Sequence, residues 1–440
     1  MVLARIQKVP LKIWEHKKKS AVAVGLLYWA GSWVERRVRN SRLRALYAAE
    51  ALKFGEQPIS AEDRCRRVLV LANVHANERS SYDDFKENAL PLLHLAGLQV
   101  NIIKAESEAQ LEALAAAVDH EEADALYVVG GDATIGKVLT GMLRKRENVI
   151  LPIGVFPAGY DNLTLKRLVP EVFRQEEDIR AQCESAMALV ENIRRPVRPF
   201  KVEIDGSVEK PLFSIGDVGA GWFRHIEDRR KKLWYFGGLK RRWAYGWEML
   251  KRSPEQMEVQ IDWEEYCSGC NKCREAPPSV IVPWRWWHMF TGAPRFVHDQ
   301  PKKDFSGIVN ENCGLTHSTT ATGSELILSG VQENDDERMR LRMRVGGTGS
   351  RLDTIREGWK RAAADLVHES NTVNFYAADV FGRAFQFQFN RIPEFVRRLY
   401  VSSDATKEEV EEGRTRFNIR ALDNKIEFFL PNRLRFDATA

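Results

Sequence analysis

The spacing of apolar residues changes near Pro196, and this change limits the fold more than any other feature of the chain. Before it, short apolar runs alternate with helical segments. The runs are residues 68–71, 99–103, 125–129 and 150–156, and the helical segments are 81–96, 107–118 and 134–143. This alternation is typical of an open, mainly parallel sheet covered by helices. The first half therefore predicts an α/β domain.

After Pro196, apolar residues recur at every second position. Phe385, Phe387 and Phe389 alternate with glutamines, and Asp205-Gly206 separates two short strands, 200–204 and 212–215, as in a hairpin. Period two continues through 417–422 and 426–430, which favours an antiparallel sheet. The predicted fold is an N-terminal open parallel α/β domain followed by a larger antiparallel β-rich domain. The predicted divisions are 1–56, 57–196 and 197–440, with a Cys- and Trp-rich insertion at 265–303.

Charge is concentrated at the N-terminus. Residues 1–44 carry a net charge of +9, and the remaining 396 residues carry −4. The slightly acidic body lacks the basic face that a nucleic-acid-binding domain needs, so we expect no nucleic-acid partner. The uncharged stretch 21–34 lies between basic flanks and contains Tyr28, Trp29 and Trp33, which suit a membrane interface. We predict a membrane anchor there; a buried helix packed on the body is the alternative.

The chemistry of the chain is concentrated in one turn, which follows the apolar run 125–129. Gly130 and Gly131 allow the backbone to approach a phosphate, and the helix that begins after them directs amide groups at it. Asp132 is the candidate for holding Mg²⁺ or orienting the phosphate, and Thr134 is a candidate donor. Gly159 marks a similar turn after the next strand, and both turns would share one crevice. A helix-capping turn without a ligand is the alternative.

The segment VVGGDATIGKVLTGMLR at 128–144 resembles the nucleotide-binding half of the diacylglycerol kinase and sphingosine kinase superfamily, whose signature is Gly-Gly-Asp-Gly-Thr. With PLLHLAGLQVNIIKA at 91–105, PIGVFPAG at 152–159, KLWYFGGLK at 232–240 and NKIEFFLP at 424–431, the chain resembles the mitochondrial acylglycerol kinases within this superfamily. The same Gly-Gly-Asp turn occurs in NAD kinases, a less similar alternative.

This resemblance implies transfer of the ATP γ-phosphate to mono- or diacylglycerol, with Mg²⁺ as cofactor. It implies anchoring in the mitochondrial inner membrane with the body in the intermembrane space. It also implies a nucleotide site formed by Asn73, Gly130, Gly131, Asp132, Ala133, Thr134 and Gly159. The resemblance further implies a C-terminal acidic residue as general base, for which Asp404 and the cluster that begins with Glu408 are the candidates. A solvated charged surface is the alternative for these acids.

The sequence also departs from the family pattern. Ala133 replaces the third glycine of the signature, which costs about 1 kcal/mol if this position needs a positive φ. In the first loop Val74 replaces a proline, and Glu78-Arg79 replace Lys-Gly. Phe200 stands where the family places an aspartate. These changes support a second hypothesis, in which a catalytically weakened homologue serves as a structural subunit of the inner-membrane carrier translocase.

Six cysteines are too few for a disulfide framework in a chain of 440 residues. Cys267, Cys270 and Cys273 form a CxxCxxC motif, which suits a thiolate metal site. Cys313 or His288 would supply the fourth ligand. Reduced cysteines and a disulfide are the alternatives.

Overall fold

The fold was analysed in a computed structural model. It describes residues 17–58, 64–76, 80–119, 121–145, 151–174, 179–206, 210–274, 286–287, 289, 305–331, 338–347, 349–364, 375–406 and 408–437. Glu78, Arg79, His288 and most of the predicted insertion lie outside these residues.

The first sheet has six strands, four of which form the parallel core predicted from the sequence. The strand order is β2-β1-β3-β4-β17-β5. The first four strands pair in parallel, and the last strand of the chain, β17, lies parallel to β4. Strand β5 pairs antiparallel with β17. The strands are β1 (Arg67–Asn73), β2 (Gln99–Ala105), β3 (Ala125–Gly130), β4 (Ile153–Pro157), β5 (Arg194–Val197) and β17 (Ile426–Phe429). All six residues of β3 are buried, as expected for a central strand covered on both faces.

Helices lie on both faces of this sheet, and each face has its own apolar core. The predicted helix over 81–96 is two helices, because Pro91 has no N–H to continue the first helix and instead lies in the first turn of the second. Gly97, at φ 76°, follows the second helix. The helices are α1 (Lys17–Gly55), α2 (Ser81–Asn88), α3 (Leu90–Leu95), α4 (Glu108–Ala117), α5 (Asp132–Lys145), α6 (Leu163–Leu168), α7 (Pro170–Phe173) and α8 (Arg180–Val190).

Helix α1 packs on the body only downstream of the stretch 21–34 that was predicted as an anchor. Its C-terminal half packs on the α/β sheet, with Leu43, Tyr47 and Ala51 fully buried in one of the two cores. The Tyr47 hydroxyl donates to the buried Glu184 at 2.7 Å. Upstream, the apolar side chains of residues 26–34 are largely exposed. Among the described residues, no helix has both the length and the apolar character needed to cross a membrane.

In the part of the chain that the structure describes, the second sheet has eleven strands, all paired antiparallel, which confirms the predicted fold class. Its path runs β15-β14-β8-β11-β12-β13-β16-β6-β7, and β9 pairs with both β13 and β10. The strands are β6 (Phe200–Ile204), β7 (Leu212–Ser214), β8 (Asp217–Gly221), β9 (Met257–Glu265), β10 (Thr316–Gly323), β11 (Glu325–Val331), β12 (Arg340–Gly346), β13 (Tyr376–Arg391), β14 (Tyr400–Val401), β15 (Asp404–Ala405) and β16 (Arg416–Ala421).

Three α-helices and two 3₁₀ helices accompany this sheet in the described residues. They are α9 (Trp222–Arg230), α10 (Lys240–Lys251), α11 (Arg351–Ala364) and the 3₁₀ segments Lys231–Leu239 and Glu394–Val396. The apolar core contains the alternate residues Phe385, Phe387 and Phe389 of β13, as the period-two pattern predicts. The predicted hairpin is also present, because β6 and β7 pair antiparallel.

One part of the predicted topology is wrong. The sequence places 426–430 in the antiparallel sheet, but β17 returns to the first sheet between β4 and β5. Its residues Ile426, Phe428 and Phe429 belong to the cores of the α/β region. Alternation of apolar residues reports which faces of a strand are buried and not which sheet it joins, so the pattern could not reveal this crossover.

Candidate functional site

The two predicted glycine turns are in direct contact at the carboxyl edge of the first sheet. Gly131 follows β3 and Gly159 follows β4, and a Cβ added to Gly131 would lie 2.8 Å from the Cα of Gly159. No side chain fits between them. The Asn162 side chain closes the second turn by accepting from the Gly159 N–H at 2.9 Å and donating to its carbonyl at 3.1 Å. Asn162 has a φ of 50°, a conformation that asparagine tolerates better than most residues.

A cleft of about 550 Å³ opens at these turns. It collects the predicted nucleotide-site residues from the ends of three parallel strands, which is where ligands bind in open α/β sheets. Its lining residues are Asn73, His75, Ala76, Glu106, Ser107, Glu108, Gly131, Asp132, Ala133, Thr134, Gly159, Tyr160, Asp161 and Ser403. Of the residues predicted for the nucleotide site, only Gly130 is absent from this lining, and it lies next to it in the chain.

Asp132 is buried and holds the turns together. Its two carboxylate oxygens accept backbone hydrogen bonds from Leu163 at 2.9 Å and Thr164 at 2.8 Å, the first two residues of α6. Burial raises the pKa of Asp132, while the hydrogen bonds from Thr164 and Leu163 oppose this rise. Asp132 thus caps the helix that follows the second glycine turn. The magnesium role expected from the sequence stays a prediction.

Ala133 lies in the first turn of α5, and its φ is not positive. The backbone strain considered for this substitution therefore does not arise. Thr134 accepts a hydrogen bond from the Asn73 side chain at 3.1 Å, which connects the end of β1 to the start of α5. A Cβ on Gly130 would clash with the Thr134 side chain, so this first glycine makes room for the threonine.

A tight hairpin of the second sheet reaches this part of the first. β14 and β15 are joined by Ser402 and Ser403, both at positive φ (49° and 68°). Such angles suit a two-residue hairpin turn but are unusual for serine. Ser402 bonds with the Ser214 hydroxyl and lies against Gly136 of α5, while Ser403 lines the cleft. The turn thus carries the following residue, Asp404, to the site.

Asp404 forms an ion pair with Lys137 of α5, with 2.8 Å between the carboxylate and the amine. Burial lowers the pKa of Lys137, but its hydrogen bond and charge interaction with Asp404 outweigh this effect and raise it. The pair lines a second cavity, of about 200 Å³, which shares Ala133 with the cleft. Lys137 was not identified from the sequence, although it follows Ala133 by one helical turn.

The other candidate bases lie elsewhere. Glu408 is absent from the lining of both cavities. Glu412 accepts from the Ile392 N–H at 3.1 Å, and Glu409 lies 3.9 Å from Arg398, as expected of a charged surface. Of the candidate C-terminal acids, the structure thus brings Asp404 to the second cavity. Phe200 is fully buried in the apolar core of the second sheet, so this position offers no carboxylate to the cleft.

Basic side chains lie next to the cleft around Tyr160 and Asp161. Asp161 forms ion pairs with Arg230 and with Arg241, the latter at 2.7 Å. Burial would raise the pKa of Asp161, but these guanidinium groups lower it. The Lys240 amine lies 3.9 Å from the centre of the Tyr160 ring. Because Tyr160 and Asp161 line the cleft as well, this basic group forms one of its borders.

The cleft itself is acidic. Four carboxylates line it, from Glu106, Glu108, Asp132 and Asp161, and no lysine or arginine is among its described lining residues. Asp132 and Asp161 already bind backbone amides and guanidinium groups. Carboxylate oxygens are ligands that Mg²⁺ uses in proteins, so Glu106 and Glu108 fit a magnesium–nucleotide complex better than a free nucleotide. The amides at the start of α5 favour a phosphate at the same place. The arrangement suits phosphoryl transfer, which depends mainly on positioning and charge neutralisation.

The four cysteines Cys267, Cys270, Cys273 and Cys313 come together between β9 and β10. The described residues of this part of the chain do not line either cavity. Trp286 and Trp287, in the same segment between β9 and β10, are exposed.

Comparison with known proteins identifies the diacylglycerol kinase catalytic domain at residues 67–201. An uncharacterized protein of Caenorhabditis elegans is 45% identical over 437 residues, which cover 99% of each chain. The mitochondrial acylglycerol kinase of Homo sapiens is 30% identical over 251 residues, 56% of this chain and 58% of the human protein. The same enzyme of Xenopus laevis is 29% identical over 264 residues, 59% of this chain and 60% of the frog protein. The chain thus aligns with somewhat less than two thirds of these acylglycerol kinases.

Among solved structures, a putative diacylglycerol kinase from Bacillus anthracis aligns with 84% of this chain and 99% of its own, with a TM-score of 0.47 and 12% identity.

Proposed function

We propose that this chain, which belongs to the diacylglycerol kinase superfamily, is a lipid kinase that transfers the ATP γ-phosphate to mono- or diacylglycerol. The products would be lysophosphatidic or phosphatidic acid. The observation that carries the proposal is the contact of the two glycine turns in a cleft that shares Ala133 with the cavity lined by an acidic hairpin residue, Asp404. Both the phosphate donor and a proton acceptor then have a place in one site.

The nucleotide would occupy the cleft between Asn73 and the two glycine turns. Gly131 and Gly159 have no side chain, so their backbone is accessible from the cleft. The first amides of α5 would bind the phosphates. Mg²⁺, held by cleft carboxylates such as Glu106 and Glu108, would neutralise phosphate charge. Asp132 would contribute by fixing the second turn, since its oxygens already bind the start of α6.

Asp404 would accept the proton of the attacking lipid hydroxyl. The Lys137 amine, 2.8 Å away, holds the carboxylate in place, and the Ser402-Ser403 turn fixes the direction of the backbone. General-base catalysis contributes about 10²–10⁴-fold to rates. We therefore expect Asp404→Asn to lower turnover by about this factor while ATP affinity stays unchanged.

The experiment that tests the function is phosphoryl transfer by the full chain. Labelled ATP, Mg²⁺ and acylglycerol in mixed micelles are incubated with the wild type, Asp404→Asn and Glu409→Gln. The matched control Glu409 is an exposed acid outside both cavities. Phospholipid formed by the wild type and Glu409→Gln but not by Asp404→Asn supports the proposal. No product above the Asp404→Asn level contradicts it.

An aromatic face next to the basic border suggests how the lipid arrives. Phe236 stacks on Trp243, and Trp243 stacks on Trp247, at ring-centre distances of 5.0 and 6.3 Å. Both tryptophans are nearly half exposed, and Leu250 is mostly exposed. Exposed aromatics beside Lys240, Arg241, Arg242 and Lys251 have the composition of a surface that binds the interface of an anionic membrane. We call residues 235–251 the aromatic face.

The aromatic face predicts a dependence on how the substrate is presented. In the double variant Trp243→Ser/Trp247→Ser we expect phosphorylation of acylglycerol in anionic vesicles to fall at least tenfold. Phosphorylation of a short-chain acylglycerol dissolved as monomers should stay within twofold. The control is Phe381→Ser, which removes an exposed aromatic of β13 outside this face. Equal losses with both substrates would contradict the role of the face.

The location of the protein is part of the proposal. The acylglycerol kinases that the chain resembles are named as mitochondrial. We place this chain at the mitochondrial inner membrane, with its body in the intermembrane space and its basic, aromatic N-terminal stretch at 21–34 attached to the membrane. The Arg37 guanidinium carbon lies 5.4 Å from the centre of the Trp33 ring, and both side chains are suited to the lipid headgroup region.

A second candidate function is favoured by the acidic lining of the cleft. No lysine or arginine is among the described residues that line the cleft, and Arg230 and Arg241 at its border already pair with Asp161, so amides and Mg²⁺ would have to hold most of the triphosphate charge. A homologue with weakened catalysis could then act as a structural subunit of the carrier translocase of the inner membrane. Absence of ATP binding, together with co-purification of translocase subunits, would favour this function over the kinase.

A further inference from the structure

The four cysteines between β9 and β10 have the geometry of a metal site. Their sulfur atoms all lie within 4.8 Å of one another, and none is in a disulfide. The sulfur of Cys273 is 3.7 Å from that of Cys270 and 3.8 Å from that of Cys267. A tetrahedron of sulfurs around zinc, with Zn–S bonds of about 2.3 Å, has edges of about 3.8 Å. A disulfide requires an S–S distance of about 2.05 Å.

The chain around the sulfurs is built to hold them. Cys267 and Cys270 are buried, and the Phe305 ring packs on Gly269 between them. The Asn271 N–H donates to the carbonyl of Ile308 at 3.0 Å, which joins the CxxCxxC segment to the segment that leads to the fourth cysteine. The Cys313 N–H in turn donates to the carbonyl of Asn310.

Two polar side chains donate to the sulfurs. Arg338, a buried residue just before β12, donates to the Cys273 sulfur at 3.1 Å and to its carbonyl at 3.1 Å. Asn310 donates to the Cys267 sulfur at 3.4 Å. Donors of this kind surround thiolate ligands and stabilise their negative charge. The same guanidinium also pairs with Asp423, 3.3 Å away, which holds it beside the sulfurs.

We propose that Cys267, Cys270, Cys273 and Cys313 bind one structural zinc ion. Binding releases the four thiol protons to solvent, and the resulting site carries a net charge of −2, which the guanidinium of Arg338 partly balances. A fully thiolate, closed ligand set is typical of structural rather than catalytic zinc. The inference is independent of the kinase activity.

The place of the site indicates what the ion does. Cys267 follows β9 by two residues and Cys313 precedes β10 by three, and these strands pair from Glu264 and Thr316 onward. The ion would therefore fasten the two ends of the long segment between β9 and β10, which carries Trp286 and Trp287. Closing a loop of this length removes conformational freedom from the unfolded chain.

The test is metal analysis of the full chain, purified without added metal or chelator. We expect one zinc per chain in the wild type and in the control Cys65→Ser, whose cysteine is exposed and outside the cluster. The zinc content of Cys313→Ser and of Cys267→Ser should fall below about one fifth of the wild-type value. Replacement by Co²⁺ should give the visible absorption bands of a tetrahedral cobalt–thiolate complex.

The wild type alone decides the question if the cysteine variants do not fold. An intact mass four daltons below that of the reduced chain, without zinc, would mean two disulfides and would overturn the proposal. Reaction of all four cluster thiols with a thiol reagent, in protein that contains no zinc and gives no cobalt bands, would overturn it too. One iron per chain in place of zinc would overturn the choice of metal.

Discussion

At the scale of single residues, the cleft depends on side chains whose roles the sequence suggested only in part. Gly131, Gly159 and Thr134 lie where the strand–turn–helix pattern places them, because that pattern is local. Asp132 was expected to face a metal ion, yet both its oxygens bind the start of α6. Its partners are 31 and 32 residues away in the chain, and a contact of this kind cannot be predicted from a short motif.

Asp161 gives a test of the electrostatics beside the cleft. Its folded pKa lies below the ordinary value of 3.8 because of Arg230 and Arg241. The carboxylate therefore stabilises the fold above the unfolded-state pKa, and this contribution is lost as the pH falls through the lower folded pKa. At pH 7 we expect Asp161→Asn to lower the free energy of unfolding by about 1.5–3 kcal/mol.

Urea unfolding of the wild type and Asp161→Asn, repeated in steps from pH 7 to pH 3, measures this difference. It should shrink toward the acidic end. The control Asp353→Asn removes an exposed acid of α11 whose partner Arg356 is 3.9 Å away, and it should change little at any pH. A difference between wild type and Asp161→Asn that is the same at all pH values would contradict the assignment.

At the scale of elements, helix α1 shows where sequence patterns stop being informative. The sequence located an apolar stretch with basic flanks, but both a membrane anchor and a packed helix have such a pattern. The structure divides the helix: Leu43, Tyr47 and Ala51 are in the core, whereas Leu27 and its neighbours are exposed. The predicted division at residue 56 thus falls after a helix that the α/β core uses.

This division predicts different effects for two leucines of the same helix. Leu43→Ala removes a fully buried side chain and should lower the free energy of unfolding by about 2–5 kcal/mol. Leu27→Ala changes a side chain that is 73% exposed and should have an effect below about 0.5 kcal/mol. Urea unfolding followed by circular dichroism measures both. Equal effects would mean that α1 does not pack on the sheet.

At the scale of the whole molecule, the site lies where the two sheets meet. The first sheet supplies the glycine turns, and the second supplies the β14–β15 hairpin with Asp404. The sequence indicated both sheet types, because periodicity distinguishes them. It did not indicate that β17 returns to the first sheet or which C-terminal acid reaches the cavity beside the cleft, because both depend on strand pairings between distant parts of the chain.

The central claim is that the cleft at the two glycine turns binds a nucleotide despite its acidic lining and the alanine at position 133. Calorimetric titration of the full chain with ATP and Mg²⁺ tests it most directly; the full chain is needed because α1 belongs to the core. The account predicts micromolar binding that is lost in Gly131→Ala, whose new Cβ would collide with Gly159. Binding should persist in Gly307→Ala, where a Cβ meets nothing. No binding by the wild type, or unchanged binding by Gly131→Ala, would contradict the account.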